Sequence, residues 1–184
     1  MRAVDQTGAL SNHGAMKLAR RTLLPIVVLV ALAGCGRSGP EITDLQRKQA
    51  AHLASEAEFA VNLRDYARAE PVLAQVVELV PDNGVHWVNL GSVRKRLGKT
   101  GAAKDAYQGA LKAYEGQAKR APTEPEPWFK QIYVLALLGR VEDARARVEK
   151  MREKFPTYRL VRVFVEEKQF DQMLADPKFK EIAL

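Results

Sequence analysis

Apolar positions fall into two regimes along this chain. From Leu23 to Ala33 they form an unbroken run of 11 residues without a charge, preceded by the basic cluster Lys17, Arg20 and Arg21. A membrane-spanning helix needs ~20 such residues. A basic stretch, a short apolar run and small residues at its end instead match a secretory signal peptide. From Thr43 onward, apolar and polar residues interleave in a helical pattern, opened by Thr43 and Gln46 at capping-box spacing. Between the two regimes, Gly36, Gly39 and Pro40 mark a short polar tether.

The second regime repeats. Ala69 and Ala103 are 34 residues apart, and Ala103 and Ala144 are 41 apart. Trp87 stands 16 residues before Ala103, and Trp128 stands 16 before Ala144. Leu63, Leu97 and Leu138 lead the three copies, with Gly98 and Gly139 after the last two. A proline closes two of them, Pro81 and Pro156, because proline lacks the N–H a helix needs. The middle copy has Glu115 at that place and runs on to Pro122. Its second helix is therefore expected to be about two turns longer, projecting beyond the stack. The first helix of the first copy is expected to run without a break from about Asp44. Leu160 to Val165 alternates enough to suggest a strand, but a lone strand has no partner, so a helix is predicted there.

This pattern resembles the tetratricopeptide repeat, whose 34-residue unit is a helix pair. Trp87, Leu90, Gly91, Gly98, Ala103, Tyr107 and Ala110 fill the motif in the middle copy. Ala69 and Pro81 carry it in the first, and Trp128, Gly139, Ala144 and Pro156 in the third. The resemblance implies an all-α helical solenoid of three helix pairs with a C-terminal cap. The pairs comprise residues 50–83, 84–124 and 125–158, within a repeat region of 43–158; capping helices follow over 159–184. Phe170, Leu174 and Phe179 are expected to cover the open end of the third pair. Gly98 and Gly101 are read as turn glycines between helices.

Composition narrows the remaining choices. Of 184 residues, 47% are apolar and 28% charged, with both signs interspersed, which argues against global disorder. A single Cys excludes an internal disulfide and a Cys-rich zinc site. His13, His52 and His86 have no ligand spacing, and the acid pairs Glu142–Asp143 and Glu166–Glu167 read as solvated helix faces. No phosphate loop or serine elbow is present. No catalysis, cofactor, metal or small-molecule substrate is expected.

Leu32, Ala33, Gly34 and the sole cysteine, Cys35, resemble the lipobox of bacterial lipoproteins. That resemblance implies a signal peptide over residues 1–34 (Met16 is an alternative start), a lipid on the Cys35 thiol, and cleavage before it. Residues 35–42 would then be a lipidated tether holding the domain close to its membrane. Gly36, where an Asp would imply inner-membrane retention, implies the periplasmic face of the outer membrane. Losing residues 1–34 removes four basic and one acidic residue from the 29 and 22 of the whole chain, leaving 25 against 21. The net charge of +7 thus falls to +4, and no nucleic-acid partner is expected.

In the family, the first helix of each repeat lines a concave groove. The corresponding positions here include Ala54, Glu58, Val61 and Asn62 in the first repeat. Val88, Asn89, Ser92, Lys95 and Arg96 follow in the second, and Phe129, Lys130, Tyr133 and Leu137 in the third. Phe129 and Leu137 also fit a core role. Members that grip a C-terminal carboxylate use Lys and Asn at set positions, of which only Asn89 is matched. The expectation is a non-enzymatic, membrane-anchored adaptor or scaffold of the bacterial envelope. Its partner would be an envelope protein segment, a peptide or helix joining acidic residues to an apolar anchor. A cell-wall-associated binding module, or an accessory subunit of an envelope enzyme complex, is the alternative.

Overall fold

The structure, a computed structural model, describes residues 41–184. The expected signal peptide, Cys35 and most of the expected tether lie outside the described residues. The described residues form helices and no strand. These are α1 (Asp44–Asn62), α2 (Tyr66–Leu79), α3 (Gly84–Arg96), α4 (Thr100–Arg120), α5 (Glu126–Leu137) and α6 (Val141–Lys154), followed by the shorter α7 (Arg159–Glu166), α8 (Gln169–Ala175) and α9 (Pro177–Ile182). None of them is long and apolar enough to cross a membrane.

Thr43 caps α1 as its spacing predicts: its hydroxyl accepts from the Gln46 N–H, and the Gln46 side chain accepts from the Thr43 N–H. Helix α2 ends at Leu79 and α6 at Lys154, each two residues before its proline. Without that stop, α4 continues to Arg120, giving 21 residues against 14 in α2 and in α6. Leu160 to Val165 is helical, within α7.

Three connections share one geometry. Residues Leu63 to Asp65, Leu97 to Lys99 and Leu138 to Arg140 each link two helices, and each has a middle residue with positive φ: Arg64 at 58°, Gly98 at 74° and Gly139 at 71°. Their backbone bonds correspond as well. Leu63, Leu97 and Leu138 donate four residues back, to Phe59, Val93 and Val134; the third residue of each turn donates five back, to Ala60, Arg94 and Leu135. Gly101, expected in a turn, lies instead in the first turn of α4. Lys99, one residue before that helix, is where the turn ends.

Consecutive helices from α1 to α6 pack on one another in chain order. Between α3 and α4 the fit is glycine against tyrosine. A Cβ on Gly84 would lie 2.5 Å from the Tyr114 ring, and one on Gly91 2.3 Å from the Tyr107 ring. Trp87 fills the space that Gly109 leaves, and its indole N–H donates to the Pro81 carbonyl at 3.0 Å. Ala69, Ala103 and Ala144, the three periodic alanines, are all fully buried. Small residues at these points let helix backbones approach, so that the large side chains interlock.

The C-terminal segment departs from expectation. Phe170 is buried beneath α6, where Arg145 lies over its ring. Phe179, by contrast, does not cover the end of the third pair. It packs edge-on against Tyr133 of α5, with ring centroids 5.7 Å apart, while α9 as a whole reaches back to α3. The Tyr107 hydroxyl donates to the Ile182 carbonyl at 2.7 Å, and the Leu184 N–H donates to the Leu137 carbonyl at 2.9 Å. These bonds fasten the end of the chain to α4 and α5.

Candidate functional site

Helices α1, α3 and α5 are the first members of their pairs, and they share a concavity of about 560 Å³. Helix α1 contributes Ala54, Glu58, Val61 and Asn62; α3 contributes His86, Val88, Asn89, Ser92 and Arg96; α5 contributes Tyr133. Ile182 of α9 closes one side. The expected groove residues Asn62, Val88, Asn89, Ser92, Arg96 and Tyr133 are thus brought together.

Four expected positions are not. Lys95 does not line the concavity. Phe129 sits edge-on to Phe164 of α7, centroids 5.0 Å apart, because α7 covers that part of α5. Lys130 pairs with Glu126, one turn earlier on α5, at 2.7 Å, and lies over the Tyr114 ring. Leu137 is fully buried, so its core reading holds.

Arg96 holds the principal charge of the surface. Its guanidinium lies over the Tyr66 ring and 3.8 Å from the Glu181 carboxylate. At that distance, and with Glu181 largely exposed, the pair is a weak one. Burial pushes the Tyr133 hydroxyl pKa up, with the Arg96 charge opposing that shift. Burial likewise holds the His86 imidazole below its usual pKa, so at neutral pH it meets a ligand uncharged. The wall is therefore mostly apolar and neutral, with Glu58 and Arg96 as its charged groups. It can seat an apolar side chain and orient a neighbouring charge.

The sequence reading placed α9 among the capping helices and missed its return to this face. Phe179 against Tyr133 and Glu181 beside Arg96 place an apolar anchor and an acid on this face, from the chain's own end. The signal was present: Asp176 caps the helix by accepting from the Lys178 N–H at 2.8 Å, and Phe179 and Ile182 share one face three residues apart. Among the described residues, no three His, Cys, Asp or Glu side chains gather to hold a metal ion.

The chain matches no protein-family model, and no curated protein matches it either.

Proposed function

We propose that this chain is a lipid-anchored adaptor of the bacterial envelope, built on tetratricopeptide repeats, which holds a segment of a partner protein on its concave face. The observation that carries the reading is the convergence of Asn62, Val88, Asn89, Ser92, Arg96 and Tyr133 from three separate helices on one concavity. The shared turn geometry at Arg64, Gly98 and Gly139 and the glycine–tyrosine fits between α3 and α4 support the repeat assignment. The lipobox resemblance at Cys35 supports the anchor.

The partner segment is one that joins an acidic residue to apolar anchors. The contacts of Phe179 with Tyr133 and of Glu181 with Arg96 illustrate the chemistry this face accepts. The open part of the concavity, beside Val61, Val88 and Asn89, would take the partner. A helix or extended peptide laid there gains affinity from a few buried anchors, while Arg96 steers acidic segments toward it.

In-cell photocrosslinking tests this. A crosslinker at Val61 or Asn89 should capture one envelope protein that a crosslinker at the exposed Lys104 does not. Arg96→Glu should weaken that capture and blunt its salt dependence, and Tyr133→Ala should speed dissociation. Equal capture from residues 61, 89 and 104 would remove the concave face from consideration.

A further inference from the structure

The seven residues by which α4 exceeds its counterparts build a second concavity, away from the first. The last two turns of α4 and the following Pro122 wall one side of a cleft of about 440 Å³; Gln131 of α5 and Arg147 and Lys154 of α6 wall the other. Glu115 and Lys119 face it from α4.

Charge in this cleft is unbalanced. Among the described residues, Lys119, Arg147 and Lys154 form no ion pair, so their charge is left for a ligand in the cleft. Among the described residues, Glu115 is the only acid lining the cleft. Arg147 and Lys154 both stack on Trp128, the guanidinium carbon and the ammonium nitrogen each 5.0 Å from the ring centroid. One cation on a tryptophan is favourable, but a second like charge drawn to the same ring repels the first. An anion in the cleft that both line offsets that repulsion.

Two buried polar atoms are also unmatched. Among the described residues, the Trp128 indole N–H has no acceptor. Gln131, wholly buried, donates its amide N–H to the Tyr114 carbonyl at 3.2 Å, while its Oε1 has no donor. Buried polar groups left unpaired cost stability, and of these two Gln131 stands in the wall of the cleft itself.

We propose that this cleft is a binding site for a phosphate group carried on a hydroxyl-bearing ligand. Three cations against one carboxylate leave a surplus of positive charge, which suits the anionic oxygens of a phosphate mono- or diester. Arg147 offers a planar fork to two phosphate oxygens, with Lys119 and Lys154 as point charges from α4 and α6. Stacking on Trp128 holds two of the three cations in place beforehand, which lowers the entropy cost of binding. The carbonyl end of α4 opposes an anion, and Lys119 and Arg120 in its last turn offset that field. The free Gln131 oxygen calls for a hydroxyl donor on the ligand. A soluble sugar or glycerol phosphate and an anionic lipid headgroup share this chemistry.

The two tryptophans of the chain allow a direct test. The Trp87 indole N–H is already bonded to Pro81, whereas that of Trp128 is free, so their two indole signals in a nitrogen-15 NMR spectrum report separately. The full chain in neutral detergent is titrated with glycerol 3-phosphate, with monomeric dihexanoyl phosphatidylglycerol, and with sodium chloride at matched ionic strength. The Trp128 signal should shift saturably with one or both phosphates while the Trp87 signal stays fixed. Tighter binding of the phospholipid would assign the site to a headgroup, and tighter binding of glycerol 3-phosphate to a soluble phosphate. Lys119→Gln, which does not stack on the ring, should weaken binding by about threefold or more, and Arg147→Gln with Lys154→Gln by about tenfold or more. A Trp128 signal that moves with neither phosphate, that moves equally with chloride, or that titrates unchanged in both variants overturns the proposal.

Discussion

Gly91 leaves open the space that the Tyr107 ring fills: a Cβ at residue 91 would stand 2.3 Å from a carbon of that ring. The ring cannot retreat cheaply, because Tyr107 is fully buried and its hydroxyl is bonded to Ile182. Gly91→Ala should therefore destabilise the protein by ~1–3 kcal/mol, as overpacking does. Gly101→Ala, where nothing lies within 4 Å, should instead stabilise by roughly 0.5–1 kcal/mol through the helix preference of alanine. Urea denaturation of the two variants gives the comparison. A Gly91→Ala protein as stable as the parent would mean that α3 and α4 do not meet at this register.

Arg64 sits in the left-handed region where the two equivalent turns use glycine. A non-glycine residue there costs roughly 1–2 kcal/mol, and Arg64 bears it at an exposed site. Arg64→Gly should raise stability by about 1 kcal/mol, less the extra freedom glycine gives the unfolded chain. Gly98→Ala should lower stability, although nothing lies within 4 Å of its Cβ position. Melting temperatures that move in the same direction for both substitutions would contradict the shared geometry.

The buried hydroxyls of Tyr107 and Tyr114 are both pushed up to about 12, chiefly by burial. Their ordinary value is about 10. A folded-state pKa above the unfolded one favours the protonated native state, so this contribution is present in full below pH ~10. It is lost as pH climbs from there through ~12. Thermal melts should accordingly be insensitive to these two groups up to pH ~10 and show a falling midpoint above it. Tyr107→Phe should cost about 1 kcal/mol at neutral pH through the lost bond to Ile182, while making the alkaline fall shallower. An unchanged alkaline slope in that variant would separate Tyr107 from the effect.

How far the sequence discloses this fold depends on the kind of signal. The alanines at 69, 103 and 144 reveal helix contacts because only small side chains fit there at any tertiary arrangement. The missing proline at Glu115 reveals the length of α4 because proline acts on its own helix. Periodicity says which face of a helix is covered, however, and not by what. Phe129 and Tyr133 stand one turn apart on α5, yet Phe164 of α7 covers the first and Phe179 of α9 meets the second. The loss of Phe129 from the candidate groove has that origin, while Lys130 is drawn instead to Glu126 and the Tyr114 ring. The return of α9 to α3 is likewise set by contacts far apart in the chain, which no local pattern encodes.

Cys35 lies outside the described residues, and its expected role is open to a direct chemical check. Only a thiol can form the lipid thioether, so Cys35→Ser should abolish metabolic labelling by a fatty-acid analogue and leave the signal peptide attached. Label retained on the serine variant would end the lipoprotein reading.

Helices stacked only on their neighbours unfold like a frayed rope, from either end, since each pair is held by adjacent pairs alone. The bond from Tyr107 to Ile182 joins residues 75 apart and ties the last helix to the middle of the stack. The C-terminal end therefore cannot loosen by small steps; releasing α9 uncovers Tyr107 and Tyr133 at once. Such a long loop is slow to close during folding, since its closure entropy is lost before its contacts are gained. Once closed, it links the release of α9 to the exposure of α4 and α5. The asymmetry leaves α1 and α2 as the end where unravelling begins.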